Sequence, residues 1–294
     1  MTQPGPQPNA VATMLGLLGD EWTLLIVQQS LLGAQRFTDF AAELPISNAV
    51  LTARLRSITA DGLLGPDGRR YLPTARSRSL WPVLVSIWAW ERTWVPEHAL
   101  PMLRHEVCGD ECTPILTCSG CGLATAEKNL VAQWGPSGSW ARSMPATSTR
   151  RRSRSDGAGL FPQTMTILGN RWSFAVMVGA FVGTSRFTDF AGQLGAPPGS
   201  LADRLQILVA NGVLDIHDGR YRLTEKGRAV LPILVTALEW AQRWFTGPEG
   251  PAVELTHDAC GGAFHPVLAC DRCGEALRGS ELAREATEIS PPRD

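Results

Sequence analysis

The chain has 294 residues, 44% of them apolar and 7% aromatic, which is enough for two domains with cores of their own and argues against general disorder. Its formal net charge of −1 does not advertise a nucleic-acid partner, and no apolar run reaches the roughly 18 residues that span a bilayer. The stretch Met1 to Asn9 is Pro/Gln-rich and uncharged, unlike a secretory leader, so composition points to a soluble cytoplasmic protein away from the membrane.

Asn9 is placed to cap a helix ending near Gly19, and Trp22 to Leu32 forms a second apolar stretch closed by Gly33. Phe37 to Leu44 reads as a short helix stopped by Pro45. Ser47 then caps a helix running to Ala60, on which Leu51, Leu55 and Ile58 share one inward face at 3.6-residue spacing. Asp61-Gly62 ends it. Leu63 to Leu72, with Pro66-Asp67-Gly68 at its middle, predicts a β-hairpin. Thr74 is expected to cap one long amphipathic helix reaching about Trp94, bearing Trp81, Trp88 and Trp90.

The same series then repeats. Arg36-Phe-Thr-Asp-Phe recurs at 186–190, and at the same offset of 150 Trp22 maps to Trp172, Arg54-Leu55 to Arg204-Leu205, Gly62 to Gly212, Tyr71 to Tyr221, Pro82 to Pro232, and Trp90 and Trp94 to Trp240 and Trp244. Two copies of one domain, 8–97 and 160–247, therefore share the chain. Helix, helix, turn, helix, hairpin, helix is the order of a winged helix-turn-helix.

The motifs Gly16-Leu-Leu-Gly-Asp-Glu-Trp, Arg36-Phe-Thr-Asp-Phe, Leu51-Thr-Ala-Arg-Leu and Asp61-Gly-Leu-Leu resemble those of HxlR-type winged-helix regulators. So do Leu168-Gly-Asn-Arg-Trp, Arg186-Phe-Thr-Asp-Phe, Asp203-Arg-Leu, Asn211-Gly-Val-Leu and Tyr221-Arg-Leu-Thr in the second copy. The resemblance implies a non-enzymatic transcription factor that binds double-stranded DNA as a dimer through its terminal helices. Here the second copy would take the partner's place, giving an internal pseudo-dimer; pairing of two whole chains stays open.

With Leu51 and Leu55 inward, Asn48, Thr52 and Arg56 face outward as base-reading candidates at a major groove, together with Ser47 at the helix start. Arg69 and Arg70 of the wing are candidate phosphate contacts. The competing reading makes all of these ordinary solvated residues. In the second copy the positions of Asn48, Thr52, Ala53 and Arg56 hold Pro198, Ala202, Asp203 and Gln206, so only Arg204, Arg220 and Arg222 remain as contacts and symmetric recognition is in doubt. That degeneration supports an alternative: a small-molecule sensor or sequestering protein with little DNA binding. Trp81 and Trp88, which are Leu in copy two, are then the candidates to hold a flat apolar effector, against the simpler reading of all ten tryptophans as core.

After each winged domain comes His-x2-Cys-x9-Cys-x2-Cys-Gly: His105, Cys108, Cys118 and Cys121 in module 103–125, and His257, Cys260, Cys270 and Cys273 in module 255–277, now at an offset of 152. One imidazole and three thiolates are the donors that tetrahedral zinc prefers, so each module reads as a small zinc ribbon, with up to two structural Zn2+ per chain. With four protein donors no coordination position is left for catalysis. Cys112 in place of His105, disulfides, and redox release of the metal are the alternatives. The fold class is thus mainly α (α+β), with two winged helix-turn-helix domains in tandem, each followed by a zinc-ribbon-like module. A basic Gly/Ser/Arg linker (134–159) and a C-terminal tail (278–294) complete the chain. In the linker Arg142, Arg150, Arg151, Arg152 and Arg154 lack acidic neighbours, and either touch phosphates or are simply solvated. No Gly-rich phosphate loop, serine nucleophile elbow or carboxylate–histidine set suggests an enzyme.

Overall fold

The computed structural model describes residues 7–98, 100–144 and 161–284. The Asn9 side chain accepts from the amides of Val11 and Ala12 and so opens α1 (Ala10–Leu18). Asp20 caps α2 (Glu21–Leu31) at Thr23. Then follow α3 (Phe37–Glu43) and α4 (Asn48–Ala60), whose Leu51, Leu55 and Ile58 are buried as their spacing requires. The hairpin is β1 (Leu64–Asp67) and β2 (Arg70–Pro73), turning at Gly68-Arg69. The expected single helix after Thr74 is two: α5 (Ala75–Arg78) and α6 (Trp81–Trp94), broken at Ser79-Leu80. Pro82 has no amide hydrogen to give the carbonyl of Arg78, so the ladder cannot run through.

The repeated pentapeptide has a structural reason. Asp39, in the first turn of α3, accepts from the amides of Gln35 (3.0 Å) and Arg36 (2.8 Å), and these bonds hold its carboxyl below the usual range. The Tyr71 amide donates to Gln35 O at 2.7 Å, and its ring meets the buried Phe40 edge-on at 6.4 Å between centroids, tying the wing to this turn. In the second repeat Tyr221 donates to Ser185 O at 2.7 Å and meets Phe190 at 6.3 Å.

The segment after the first repeat forms β3 (Leu103–His105), β4 (Glu111–Cys112), β5 (Pro114–Cys118), β6 (Leu130–Trp134) and α7 (Trp140–Ser143). The second repeat is α8 (Pro162–Leu168), α9 (Arg171–Phe181), α10 (Phe187–Leu194), α11 (Pro198–Ala210), β7 (Leu214–His217), β8 (Arg220–Leu223), α12 (Glu225–Arg228) and α13 (Leu231–Phe245). Its own extension is β9 (Val253–His257), β10 (Gly262–Ala263), β11 (Pro266–Cys270) and β12 (Leu282–Arg284).

The repeats pack on each other reciprocally. α13 lies against α1 and α6, and α6 against α8. Trp90 Nε1 donates to Lys226 O (3.1 Å), and its counterpart Trp240 Nε1 donates to Arg76 O (2.9 Å). Trp244 Nε1 adds a bond to Ser79 Oγ at 2.8 Å, and the Arg76 guanidinium stands 4.6 Å over the Phe245 ring. The buried side chains of both repeats and both extensions form one contiguous core.

The extensions exchange strands rather than closing separately. β12 pairs with β3 of the β3–β4 hairpin, and β6 pairs with β9 of the β9–β10 hairpin. β5 and β11 pair antiparallel, with Leu116 opposite Leu268, its own counterpart in the repeat, so the local twofold passes through that pair.

Two expected boundaries change as a result. Residues 134–144 are not linker: they finish β6 and form α7, where Ser143 Oγ bonds Asn9 Nδ2 at 3.0 Å and Trp140 meets Trp134 edge-on at 5.2 Å. Arg142 is not a free cation either, since it bonds Gln7 O (3.0 Å) and Glu249 (2.6 Å). Arg150, Arg151, Arg152 and Arg154 lie outside the described residues. The tail 278–294 likewise begins inside the fold, with Leu282–Arg284 as β12.

Candidate nucleic-acid interface and metal centres

On α4, Asn48, Ala49, Val50, Thr52, Ala53 and Arg56 are exposed, as are Arg69 and Arg70 at the tip of the adjoining hairpin. The Ser47 hydroxyl accepts from Val50 N at 3.4 Å, so this residue starts the helix whatever else it touches. Thr52 Oγ1 donates to Asn48 O at 2.7 Å and so faces outward as an acceptor. Arg54 is engaged with Asp20 at 3.1 Å, which fixes the flank of α4 against the cap of α2. Sequence reasoning passed over Val50, 40% exposed on the first turn of α4; its apolar character offered no signal before the helix's orientation was known.

The corresponding face of α11 is different. Pro197 and Pro198 begin the helix without a side-chain cap, and Asp203 and Gln206 are exposed where α4 has Ala53 and Arg56. Arg204 is half-buried on the flank, like Arg54. On the second wing Arg222 is exposed, while Arg220 reaches toward Ser185 Oγ at 3.5 Å. Asp215 and His217 pair at 3.3 Å beside them, and Asp218 makes the turn with φ at +51°.

The His/Cys residues gather into two groups, and neither belongs to one module. One is His105, Cys108, Cys270 and Cys273; the other is His257, Cys260, Cys118 and Cys121, with the donor atoms of each group within 4.8 Å of one another. The expectation that each His-x2-Cys-x9-Cys-x2-Cys run closes on itself is therefore corrected. The reason is β5: an extended five-residue strand carries its end roughly 13 Å from its start, taking Cys118 away from Cys108. The antiparallel register places Cys270 opposite Pro114 and Cys118 opposite Pro266, so each second pair of thiols lands beside the other repeat's His and Cys.

The spacing fits a tetrahedral ion. Donors bound to one zinc stand roughly 3.5–3.8 Å apart. Here Cys108 Sγ lies 3.5 Å from His105 Nδ1 and 3.9 Å from Cys270 Sγ, and Cys273 Sγ lies 3.4 Å from His105 Nδ1. In the second group Cys121 and Cys260 Sγ stand 3.4 and 3.5 Å from His257 Nδ1. Both Nδ1 atoms thus face the sulfurs. The outward Nε2 of His257 meets Thr125 Oγ1 at 3.3 Å, the kind of orienting partner a metal-bound imidazole uses, whereas that of His105 has no hydrogen-bond partner, with a Glu281 carboxylate oxygen 3.9 Å away. Glu281 and Thr125 have no matching residue types at their repeat counterparts, so the repeat gave no signal for them.

The knuckle amides act as expected of Cys-x2-Cys. Burial raises the Cys270 thiol, but the amides of Cys273 and Arg272 outweigh it and bring it down to about 7, with Arg272 N 3.4 Å from the sulfur. Burial also opposes thiolate formation at Cys118, and there too the amides of Gly120 and Cys121 win, lowering it. Cys112 goes the other way: burial, then the nearby Cys270, pushes it up to about 12. It stays a neutral thiol and stands outside both groups, so it does not replace His105. All seven cysteines are unpaired, which leaves the disulfide alternative without a bond to support it.

Trp81 and Trp88 are both packed against protein. Trp88 is buried and donates Nε1–H to Pro101 O at 3.1 Å. Trp81 packs on the backbone of Gly279, where a Cβ would come within 2.8 Å of the indole. Both indoles are engaged with neighbouring backbone, as the simpler reading of the tryptophans as core requires. Among the described residues no single helix is long and apolar enough to cross a membrane.

A model of the HxlR-like helix-turn-helix family matches residues 17–99 and again 167–248. The uncharacterized HTH-type transcriptional regulator Rv3095 of Mycobacterium tuberculosis is 33% identical over 130 residues, covering 42% of this chain and 82% of its own length. YvaP of Bacillus subtilis, likewise an uncharacterized HTH-type transcriptional regulator, is 33% identical over 87 residues, 27% of this chain and 81% of its own. Among solved structures, that of PA1607 covers 44% of this chain and 93% of its own at 30% identity, with a TM-score of 0.38.

Proposed function

The chain belongs to the HxlR-like helix-turn-helix family of transcriptional regulators, which are not enzymes, and from that premise we propose that it binds DNA as an intramolecular pseudo-dimer with unequal halves. The observation that carries the proposal is the contrast between α4 and α11. α4 offers Asn48, Thr52 and Arg56 on an open face, with Ser47 at its start and Arg69 and Arg70 beside it for phosphates. Val50 adds an apolar contact of the kind that reads a thymine methyl. α11 offers Asp203 and Gln206 at the same positions, so the second repeat contributes Arg204, Arg220 and Arg222 to the backbone more than to the bases. Two structural zinc ions, one in each His/Cys3 group, would fasten the halves together, because every group takes two donors from each extension.

Electrophoretic shift with the DNA upstream of the protein's own coding sequence tests this. Arg56→Ala should weaken binding by about tenfold or more, while Gln206→Ala changes it less than about twofold. Arg69→Ala and Arg70→Ala should each weaken specific and non-specific binding alike and reduce the slope of affinity against salt by about one. Equal effects of Arg56→Ala and Gln206→Ala would refute the assignment of α4 as the reading helix.

A further inference from the structure

We propose that a cavity built on α9 and α13 of the second repeat, and closed by α1 and β6 from the first half of the chain, binds a flat, uncharged aromatic compound of about two fused rings. The site is a cavity of about 340 Å³ between α1, α9, α13 and the β6–β9 sheet, walled by Met14, Phe174, Phe181, Leu231, Leu238 and Trp134. What argues for an aromatic occupant is the other half. At the repeat offset, Leu231 and Leu238 stand where the first half has Trp81 and Trp88. There the two indoles occupy the corresponding space: Trp81 against Gly279, Trp88 bonded to Pro101 O at 3.1 Å. The counterparts of Gly279 and Pro101 are Glu127 and Val253, and both belong to the cavity wall. One half thus carries its aromatic filling covalently, and the other keeps the volume without it.

Size and polarity narrow the occupant. A dry apolar cavity of about 150 Å³ takes a benzene ring, so a volume a little over twice that suits a bicyclic. The polar groups on the wall are already engaged. Glu127 pairs with Arg228 (3.5 Å), Gln133 Nε2 donates to Glu254 (2.9 Å), and Thr184 donates to Gln193 (2.8 Å). A charged ligand would find no counter-ion waiting, and an uncharged ring loses nothing. The proposal stands apart from DNA recognition and is read by binding alone.

Indole is the probe, titrated into the full chain by calorimetry with methionine-methyl NMR alongside. One saturable site per chain is expected, with Kd on the order of 100 µM for so small a ligand. The Met14 and Met144 methyls, which line the cavity, should shift, and Met102, which is not in its wall, should not. Leu231→Trp with Leu238→Trp, recreating the filling of the first half, should weaken binding more than tenfold while the chain stays folded. If that pair does not fold, Leu238→Phe should weaken binding several-fold. No saturable binding to the unaltered chain overturns the proposal. Shifts at Met102 in place of Met14, or undiminished binding by the filled variants, overturn it as well.

Discussion

A chain carrying Cys108→Ser and Cys270→Ser should keep one of the two proposed zinc ions, and a chain carrying Cys108→Ser and Cys118→Ser should lose both. The first pair removes two donors from one His/Cys3 group and leaves the other intact; the second removes one donor from each. If each module closed on its own metal the outcome would be reversed, because Cys108 and Cys118 belong to the same run. Native mass spectrometry of protein purified without chelator gives the count directly. Stability should follow it. Structural zinc supplies a large share of the folding energy of small modules, and in the proposed sites it would also fasten β5 to β11, so losing both ions should lower the melting temperature by more than about 10 °C. Chelation of the unaltered chain should do the same, and zinc should restore it. A full metal count that leaves the melting temperature unmoved on chelation would show that the join holds without metal.

Glu91→Ala should cost about 2–4 kcal/mol, read as a drop in the urea midpoint. Glu91 lies on α6 and is fully buried, and its Oε1 accepts from both the amide (2.6 Å) and the hydroxyl (2.7 Å) of Thr164 in the first turn of α8. A side chain of one repeat thereby caps a helix of the other. Removing it strands a buried amide and a buried hydroxyl, and takes negative charge from a helix N-terminus. The counterpart contact shows another solution: Ala241 on α13 and Met14 on α1 are both buried and apolar. Glu91→Ala combined with Thr164→Met recreates that pair and should recover about half of the loss or more. Recovery well short of that would mean the carboxylate does more at this junction than satisfy Thr164.

Local chemistry made much of this fold legible. Asn9, Ser47 and Thr74 each cap a helix where the sequence puts them, and the inward row of Leu51, Leu55 and Ile58 is buried. Pro82 ends the ladder after Thr74, a break that the amphipathic pattern running through it conceals. The candidate metal donors stand out by residue type and spacing, whereas their grouping does not. Both modules have identical internal spacing, so the sequence is unchanged whether each closes on itself or trades half its donors, and only the β5–β11 register decides. Position also misled at the aromatics. Trp81 and Trp88 looked free because copy two has leucine there, and the leucines proved to be the open side. The Gly, Pro and Ser around Trp134 and Trp140 read as linker by composition, and the same residues suit the tight chain path between β6 and α7.

The pairing of Leu116 with Leu268 has a consequence for how such a protein meets the genome. Two identical chains joined at that point would look the same from either end and could land on an operator facing either way. Here the two ends are made by different stretches of one gene, and each is free to drift without unsettling the seam. If α4 and α11 meet DNA as proposed, the molecule has a front and a back, and an unsymmetrical operator would fix which way it faces.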